Sequence, residues 1–457
     1  MKPEEPFLQS KTYSKENTDN LDYFIKITSI LWFLFLFFAS FVTYNALKVF
    51  LEEFRNIVWM RLLMHINHTL LYINILALLW RAFLVCFFYR CVPIQKDECL
   101  PEVTVLVPAY NEGKGIWETL ESLVKSNYPA EKLHIVAIDD GSQDDTWEWM
   151  LKAKQKWGEK IQILHYPENK GKRQALYEGF KNSEGDILVT VDSDSVIEKD
   201  SLHYLVSPFQ DPLVGAVAGN VRILNRREGF VPRMLDVGFL YSFQFTRASQ
   251  SCVNAVMCTP GAFSAYRRKV VLNVLTEWLQ QKFLGKRANI GEDRAMTNLI
   301  LKSGYHVCYQ SEAIVYTKVP TQYTKLCKMF LRWARSNIRE TLVMTGFIFK
   351  NFRSTPATGA RINLLLHWLT LTFVQVLRIQ TLLCLLASPY IFGIHLLLGA
   401  TIISLFPAIV YWLKYKNSNG FWAFPYGILW IFSLSWITPY ALLTPHKNGW
   451  LTRDLHA

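Results

Sequence analysis

Two carboxylates on alternate positions, Asp192 and Asp194, directly follow the apolar run Ile187–Val191. Hard oxygen ligands in that arrangement suit Mg2+ or Mn2+ held against a diphosphate. The triplet alone is ambiguous, because acidic residues at strand ends also form turns. Asp139-Asp140-Gly141-Ser142 carries the same ambiguity, Asp-Gly being a common turn dipeptide. Tyr110, in Pro108-Ala109-Tyr110-Asn111-Glu112, offers a ring that stacks on a nucleobase. Lys172 and Arg173 open a helical run from Gly171 to Lys181, and a helix start with added cations favours phosphate oxygens. A solvated basic helix start reads the same way for Arg173. Neither a P-loop nor a dinucleotide fingerprint is present: Gly171-Lys172-Arg173 lacks the upstream glycine and the Ser/Thr, and Gly113-Lys114-Gly115 is too short. Asp293, in Gly291-Glu292-Asp293-Arg294 ahead of the helical run Ala295–Leu301, is either a helix N-cap or a general base. Transfer to a hydroxyl needs such a base, while a metal and basic groups stabilise the charge growing on a departing diphosphate.

Groups of this kind act together only if the backbone brings them to one place. Apolar runs at Val103–Val107, Leu133–Ile138, Ile161–Leu164 and Ile187–Val191 alternate with helical stretches between about residues 100 and 320, the pattern of a mostly parallel α/β sheet. In open sheets of that kind ligands bind beyond the carboxyl ends of the strands. The clusters at Tyr110, Asp139 and Asp192 begin at three such ends, which predicts one crevice lined by acidic and aromatic groups.

The remainder of the chain is of another character. Hydrophobic residues reach 51% and aromatic residues 14% of 457 positions, apolar enough for several membrane spans beside a water-soluble domain. Ile27 to Leu47 carries no charge and reads as a retained first span, and Thr69 to Tyr89 as a second, in which Arg81 either snorkels or faces a polar channel. Further apolar segments lie at 362–386, 388–413 and 421–446. The last is interrupted by Pro425, Pro439 and Pro445 and flanked by Lys414, Lys416, Lys447 and Arg453, which predicts an interfacial or re-entrant element instead of a crossing. The net charge is +12, and Lys325, Lys328, Arg332, Arg335 and Arg339 recur every three or four residues beside Leu326, Phe330 and Trp333. That spacing predicts an amphipathic basic helix, a pattern that a solvated face of a soluble helix also shows; the apolar segments that follow favour a helix lying on the cytosolic membrane surface. Because this stripe abuts the spans, it argues against nucleic acid as the partner of the positive charge. Eight cysteines without a CxxC pair give neither a zinc knuckle nor a disulfide framework and read as free thiols in a reducing compartment.

Several stretches together carry a family resemblance: Val107-Pro108-Ala109-Tyr110-Asn111-Glu112-Gly113, Asp139-Asp140-Gly141-Ser142, Asn169-Lys170-Gly171-Lys172-Arg173, Val191-Asp192-Ser193-Asp194-Ser195, Arg247 with Gln250-Ser251, Met257-Cys258-Thr259-Pro260-Gly261, Gly291-Glu292-Asp293-Arg294 and Arg332-Trp333-Ala334-Arg335-Ser336. Over about residues 100–345 the chain resembles the membrane-integrated processive glycosyltransferases of family two, above all rhizobial chitooligosaccharide synthases and hyaluronan synthases. The resemblance implies an α/β fold, a GT-A-type, Rossmann-like catalytic domain inserted between N-terminal and C-terminal transmembrane helices. The expected division is a cytosolic tail at 1–25, two transmembrane helices in 26–90, the catalytic domain at 100–322, an amphipathic interface helix in 323–350, transmembrane or re-entrant segments in 362–446 and a gating tail at 447–457. It also implies an inverting enzyme that takes sugar from a UDP-sugar, first of all UDP-GlcNAc, and extends a β-linked saccharide acceptor at the cytosolic face of the lipid bilayer, with export of the product a further expectation. By the same resemblance Tyr110 and Asp140, with Asp139, hold uracil, Lys172 the diphosphate, Asp192 the nucleotide and Asp194 the Mg2+ or Mn2+ ion. Asp293 is the base, Arg332 a diphosphate contact and Trp333 the platform under the acceptor sugar, with Glu112, Arg247 and Gln250 completing the substrate-binding set. Trp450 and Arg453, in Gly449-Trp450-Leu451-Thr452-Arg453, match a gating motif.

Two positions depart from the family pattern: Met329 stands where Gln is usual before Arg332-Trp333, and Thr246 where Glu is usual before Arg247. Both bear on acceptor or diphosphate contacts, so donor use is the firmer expectation and product length the weaker. A single-transfer enzyme acting on a polyprenyl phosphate shares the acidic clusters but normally lacks the Arg-Trp helix and the gating tail. A non-catalytic membrane receptor for a UDP-sugar accounts for Met329 and Thr246 but leaves the retained metal, nucleotide and base residues without a purpose.

Overall fold

Residues 20–447 are described by the structure, a computed structural model. Two long helices come first, α1 (Asn20–Asn56) and α2 (Val58–Phe83), the second ending in a π-turn over Leu84–Phe88. Both are longer than the uncharged windows alone predict. In α2, Arg81 turns inward: its Nε is buried, without a hydrogen-bond partner among the described residues.

The middle of the chain builds one eight-stranded sheet from β1 (Val103–Ala109), β2 (Leu133–Asp140), β3 (Ile161–Tyr166), β4 (Ile187–Val191), β5 (Ser195–Ile197), β6 (Val214–Ile223) and β7 (Phe263–Arg267). A small hairpin of β8 (Lys282–Phe283) and β9 (Lys286–Arg287) stands apart, and β10 (His306–Thr317) completes the sheet in the order β3-β2-β1-β4-β7-β6-β10-β5. Between the strands run α3 (Gly115–Val124), α4 (Thr146–Trp157), α5 (Lys172–Asn182), α6 (Ser201–Val206), α7 (Phe230–Leu240), α8 (Ala248–Ser251), α9 (Arg268–Leu279) and α10 (Glu292–Lys302). Every residue of β1 and β4 is buried, as befits apolar strands covered on both faces. The parallel sheet expected from the sequence holds for β3-β2-β1-β4. Beyond it the sheet is mixed, since β7 runs antiparallel to both β4 and β6, and β5 antiparallel to β10. The chain moves outward from β1 through β2 to β3, then returns to place β4 on the other side of β1. Strand order reverses there, and open α/β sheets bind ligands at such a point.

After the sheet come α11 (Tyr323–Ile348), α12 (Thr358–Ala387) and α13 (Pro389–Tyr415), then α14 (Ala423–Phe432) and α15 (Ile437–Leu443), bent by 44° with respect to each other. Among the described residues four helices are long and apolar enough to cross a membrane: Asn20–Glu53, Val58–Phe88, Thr358–Ala387 and Pro389–Tyr415. Their apolar side chains remain largely uncovered, Phe41 at 75% and Trp59 at 77% exposure, an arrangement stable only in lipid or against a partner. The 421–446 segment is broken, as its prolines predict, and lies along α11: Tyr323 donates to the Ser433 carbonyl at 2.7 Å, Arg335 Nε to Thr444 Oγ1 at 3.2 Å, and Phe330 meets Trp430 edge-on at 5.3 Å.

Four buried charges tie these parts together. Asp22, in the first turn of α1, accepts from Arg233 Nη1 at 2.8 Å and from Trp422 Nε1 at 2.7 Å, and lies 3.4 Å from Arg226. Asp236 takes Arg226 Nε at 3.3 Å and the Tyr411 hydroxyl at 2.8 Å. Asp22, Arg226, Arg233 and Asp236 are all exposed by 5% or less. Asp22, within the stretch expected over residues 1–25 as a cytosolic tail, lies in the first turn of α1 and in this clamp.

The basic stripe of α11 also differs from expectation. Lys325 and Lys328 are exposed, but Arg335 and Arg339 are buried at 4% and 0%. Arg335 stacks 5.6 Å from the Tyr440 ring, and Arg339 pairs with Glu340 at 3.1 Å. Only the first turns of the helix can meet a membrane surface, because the later cations have internal partners.

Candidate active site

The carboxyl ends of β2, β1 and β4 lie side by side, so the residues that follow them share one crevice. Tyr110 and Glu112 are half-buried after β1, where Thr146 Oγ1 receives the backbone N–H of Glu112 and of Gly113, each at 2.8 Å. Asp139 and Asp140 are buried at the end of β2. Asp139 Oδ1 accepts the Ser142 N–H at 3.2 Å, and its Oδ2 meets His165 Nδ1 at 2.7 Å. Asp140 accepts the N–H of Lys170 at 2.9 Å and of Gly171 at 2.8 Å, which fixes the loop leading into α5. Both carboxylates thus do form turns, and one of those turns presents Lys172.

Lys172 Nζ bonds Asp192 Oδ1 and lies 3.5 Å from Glu292 Oε1. Burial opposes the charge on this lysine, but Asp192 and then Glu292 outweigh it and hold its pKa above the ordinary value. Gly261 lets the Met257–Gly261 loop approach, since a Cβ there would fall 2.9 Å from Lys172 Nζ and 3.6 Å from Asp192 Oδ1. Asp194 Oδ1 contacts the hydroxyls of Ser195 and Thr317, each at 3.3 Å. Among the described residues no three or more His, Cys, Asp or Glu side chains gather as a metal site. A divalent ion here fits only in the mode that Mg2+ favours, with one or two carboxylates and the remaining ligands from phosphate and water.

Asp293 is the second residue of α10, whose cap is Gly291 in the left-handed region at φ 74°. The N-cap reading of Asp293 is therefore corrected: its Oδ1 accepts the adjacent Arg294 N–H at 2.7 Å from inside the helix. Burial, then the charge of Glu292, raise its pKa above the usual carboxylate value, against the pull of the Arg294 N–H and Lys172. The Cys258 thiol, pushed up to about 12 by burial and by Asp293, stays protonated and points its hydrogen at Asp293 Oδ2 over 3.7 Å. Arg247 Nε donates to the Cys258 carbonyl at 3.2 Å while its guanidinium lies 3.8 Å from the Phe243 ring centre. Gln250 is buried and accepts the Met257 N–H at 3.2 Å, so it supports the loop and does not open to the crevice.

Arg332 and Trp333 sit on α11. Arg332 is half-buried, and Trp333 is 41% exposed between Phe239 at 6.1 Å and Phe330 at 5.7 Å. One turn on, Ser336 closes on Gly291, where a Cβ would fall 1.7 Å from its Oγ, so α11 is seated on the helix start that bears Asp293. Met329 is 6% exposed in an apolar cluster with Leu326, Leu434 and Ile437. Trp450 and Arg453 lie outside the described residues. Sequence reasoning misses Glu292 and Cys258 as parts of this constellation. Adjacency to Asp293 is the available signal for Glu292, whereas Cys258 meets Asp293 only through folding.

The site is a crevice at the switch point of an α/β sheet, in a chain whose flanking helices are long and apolar enough to cross a bilayer. Residues 101–336, half of the chain, match the model described as "Glycosyltransferase like family 2", and the chain belongs to that family. It is 36% identical over 270 residues to an N-acetylglucosaminyltransferase of Rhizobium meliloti (strain 1021), a match covering 58% of this chain and 63% of that protein. A second N-acetylglucosaminyltransferase, from Azorhizobium caulinodans, is 36% identical over 242 residues, covering 53% of this chain and 61% of the relative. The chain therefore spans less than two-thirds of the length of these curated relatives. A mannosyltransferase from Pyrobaculum calidifontis, solved in complex with GDP-Man and Mn2+, shares the fold at TM-score 0.55 and 20% identity, covering 80% of this chain and 98% of that one.

Proposed function

We propose that this glycosyltransferase takes N-acetylglucosamine from UDP-GlcNAc and extends a β-linked saccharide at the cytosolic face of a membrane, inverting the anomeric centre. The observation that carries the reading is the Lys172 bridge, which sets an ammonium between Asp192 and the α10 turn bearing Asp293. In this reading Tyr110 stacks on uracil while Asp139 and Asp140 shape its pocket, with Glu112 at the rim. Asp192 faces the nucleotide. Lys172 exchanges its carboxylate partner for diphosphate oxygens, and Arg332 contacts the same group. Mg2+ or Mn2+ held by Asp194 would neutralise charge on the leaving diphosphate. Asp293, its pKa already raised, accepts the proton of the acceptor hydroxyl as that oxygen bonds to the donor carbon and UDP leaves with the bonding electrons. Trp333 carries the acceptor ring, and Arg247 holds the Cys258 loop against Asp293. The names of the rhizobial relatives support the sugar.

The membrane arrangement is part of the same proposal. Asp22 accepts from Arg233 of the catalytic domain and from Trp422, so the start of α1 and the start of the broken segment belong on the cytosolic side. Thr444 returns to α11, which supports a segment that enters and leaves on one side and a tail bearing Trp450 and Arg453 that stays there to gate the site. Export of the product between the spans completes the proposal. Membranes holding the full chain should convert radiolabelled UDP-GlcNAc into an oligosaccharide or polymer, and the Asp293→Asn variant should not. A lipid-linked monosaccharide, a product that forms only with a different nucleotide sugar, or no product at all would overturn the reading.

A further inference from the structure

Glu340 is fully buried on α11, two turns beyond Arg332, and its carboxylate is surrounded by donors from three directions. Gln281 Nε2 donates to its two oxygens at 3.0 and 3.3 Å, Asn298 Nδ2 of α10 at 3.0 Å, and Arg339 Nε at 3.1 Å. Two of these donors, Gln281 and Arg339, continue to the site. Arg173, the residue after Lys172, reaches Gln281 Oε1 at 3.1 Å and the Trp278 carbonyl at 2.8 Å. The Trp278 indole donates to the Glu292 carbonyl at 2.8 Å. Arg339 Nη2 bonds the Ile290 carbonyl, directly before the Gly291 cap. A buried carboxylate with this many charge-assisted and amide donors fixes geometry, because moving any one helix leaves a donor or the charge unpaired.

We propose that Glu340 is a positioning residue for transfer, holding in register the helix that starts at Lys172, the helix that starts beside Asp293 and the helix that carries Arg332 and Trp333. This rests on the reading of Asp293 as the base. Glu340→Gln keeps the shape but opposes the Gln281 amide with another donor and removes the charge facing Arg339. With the full-length chain in membranes, transfer kcat should fall roughly ten- to a hundredfold, as displacements of about an ångström do. UDP affinity, measured by equilibrium dialysis, should fall by less than kcat, since Asp139 and Asp140 at the uracil end bond Ser142, His165 and the N–H groups of Lys170 and Gly171, and only the diphosphate contacts Lys172 and Arg332 depend on this network. The acid limb of the pH–rate profile should move by about half a pH unit or more as the surroundings of Asp293 change. Gln281→Ala, at a half-buried position, tests the same link if Glu340→Gln does not fold, with a smaller kcat loss and the same displaced limb. Wild-type kcat and acid limb in either folded variant would overturn the proposal, as would a loss of UDP affinity in proportion to kcat. Asp293→Asn separates the two readings: turnover retained there removes the base assignment, whereas an inactive Asp293→Asn beside unaffected Glu340→Gln and Gln281→Ala removes only the positioning role.

Discussion

Replacing Asp293 by Asn tests the centre of the proposed chemistry. The amide can still accept the Arg294 N–H that the carboxylate accepts at 2.7 Å, and it fits the same space, so the helix start should be unchanged. Lys172 keeps two carboxylate partners, Asp192 and Glu292, and stays charged. UDP binding should therefore persist while the acceptor hydroxyl loses its base, a loss of about 10²–10⁴ in rate, or about 3–5 kcal/mol of transition-state stabilisation. The wild-type profile adds a second signature. A base acts only when ionised, so kcat should rise with pH through a value above the ordinary carboxylate range, since burial and Glu292 raise this pKa. The same raised pKa means that the folded state holds the proton more tightly than the unfolded one. Stability should fall as pH rises from the unfolded to the folded pKa, and Asn, free of that penalty at neutral pH, should leave Tm at or above wild type. Single-turnover transfer, UDP dialysis and a thermal melt in detergent measure the three quantities. Turnover within a few-fold of wild type, or a dead variant whose Tm and UDP affinity have collapsed, would refute the reasoning.

Asp194→Ala should abolish transfer together with its response to added Mg2+ or Mn2+, and parent activity in excess EDTA would contradict a metal at this position. Met329→Gln, although it restores the usual family residue, buries an amide in an apolar cluster and should cost about 1–3 kcal/mol without lengthening the product. A longer product on sizing gels would show that position 329 reaches the acceptor. Asp22→Ala removes the carboxylate that Arg233 meets at 2.8 Å and leaves Arg226 with Asp236, and should cost about 3–5 kcal/mol, read as a lower Tm and freer proteolysis after α1; an unchanged melt would show the clamp to be dispensable. A single cysteine replacing Ala457 in a background without the native eight should resist an impermeant maleimide in intact cells, and labelling there would place the gate on the wrong side.

The strands that carry the crevice are legible in the sequence because β1, β2 and β4 are apolar runs that end abruptly in polar clusters, so period and punctuation agree. The far half of the sheet is not. In β10 the run is broken by Gln310, Ser311 and Glu312, and Gln310 is tolerated inside because Oε1 accepts the Val92 N–H at 3.0 Å and Nε2 donates to the Tyr204 carbonyl at 2.8 Å. Such partners are distant in sequence and leave no local pattern. The same holds for α11, where cationic spacing predicts one basic face but Glu340, Thr444 and Tyr440 draw the later arginines inside. The residues around Asp293 divide likewise: Lys172 and Asp192 stand at readable element ends, whereas Cys258 and Gly261 reach the site through a loop whose course only the packing reveals.

The clamp at Asp22 has a bearing on how the chain is made. Asp22 leaves the ribosome well before its partners, since Arg233 follows 211 residues later and Trp422 400 residues later. Until those partners emerge, the carboxylate must remain in water or headgroups, because burying it alone is costly. Docking of α1 onto the catalytic domain is thus a late event in biosynthesis, and its last hydrogen bond waits until all four long apolar helices have been synthesised. Nascent chains stopped before Trp422 should therefore carry an α1 that lacks one of its buried hydrogen bonds.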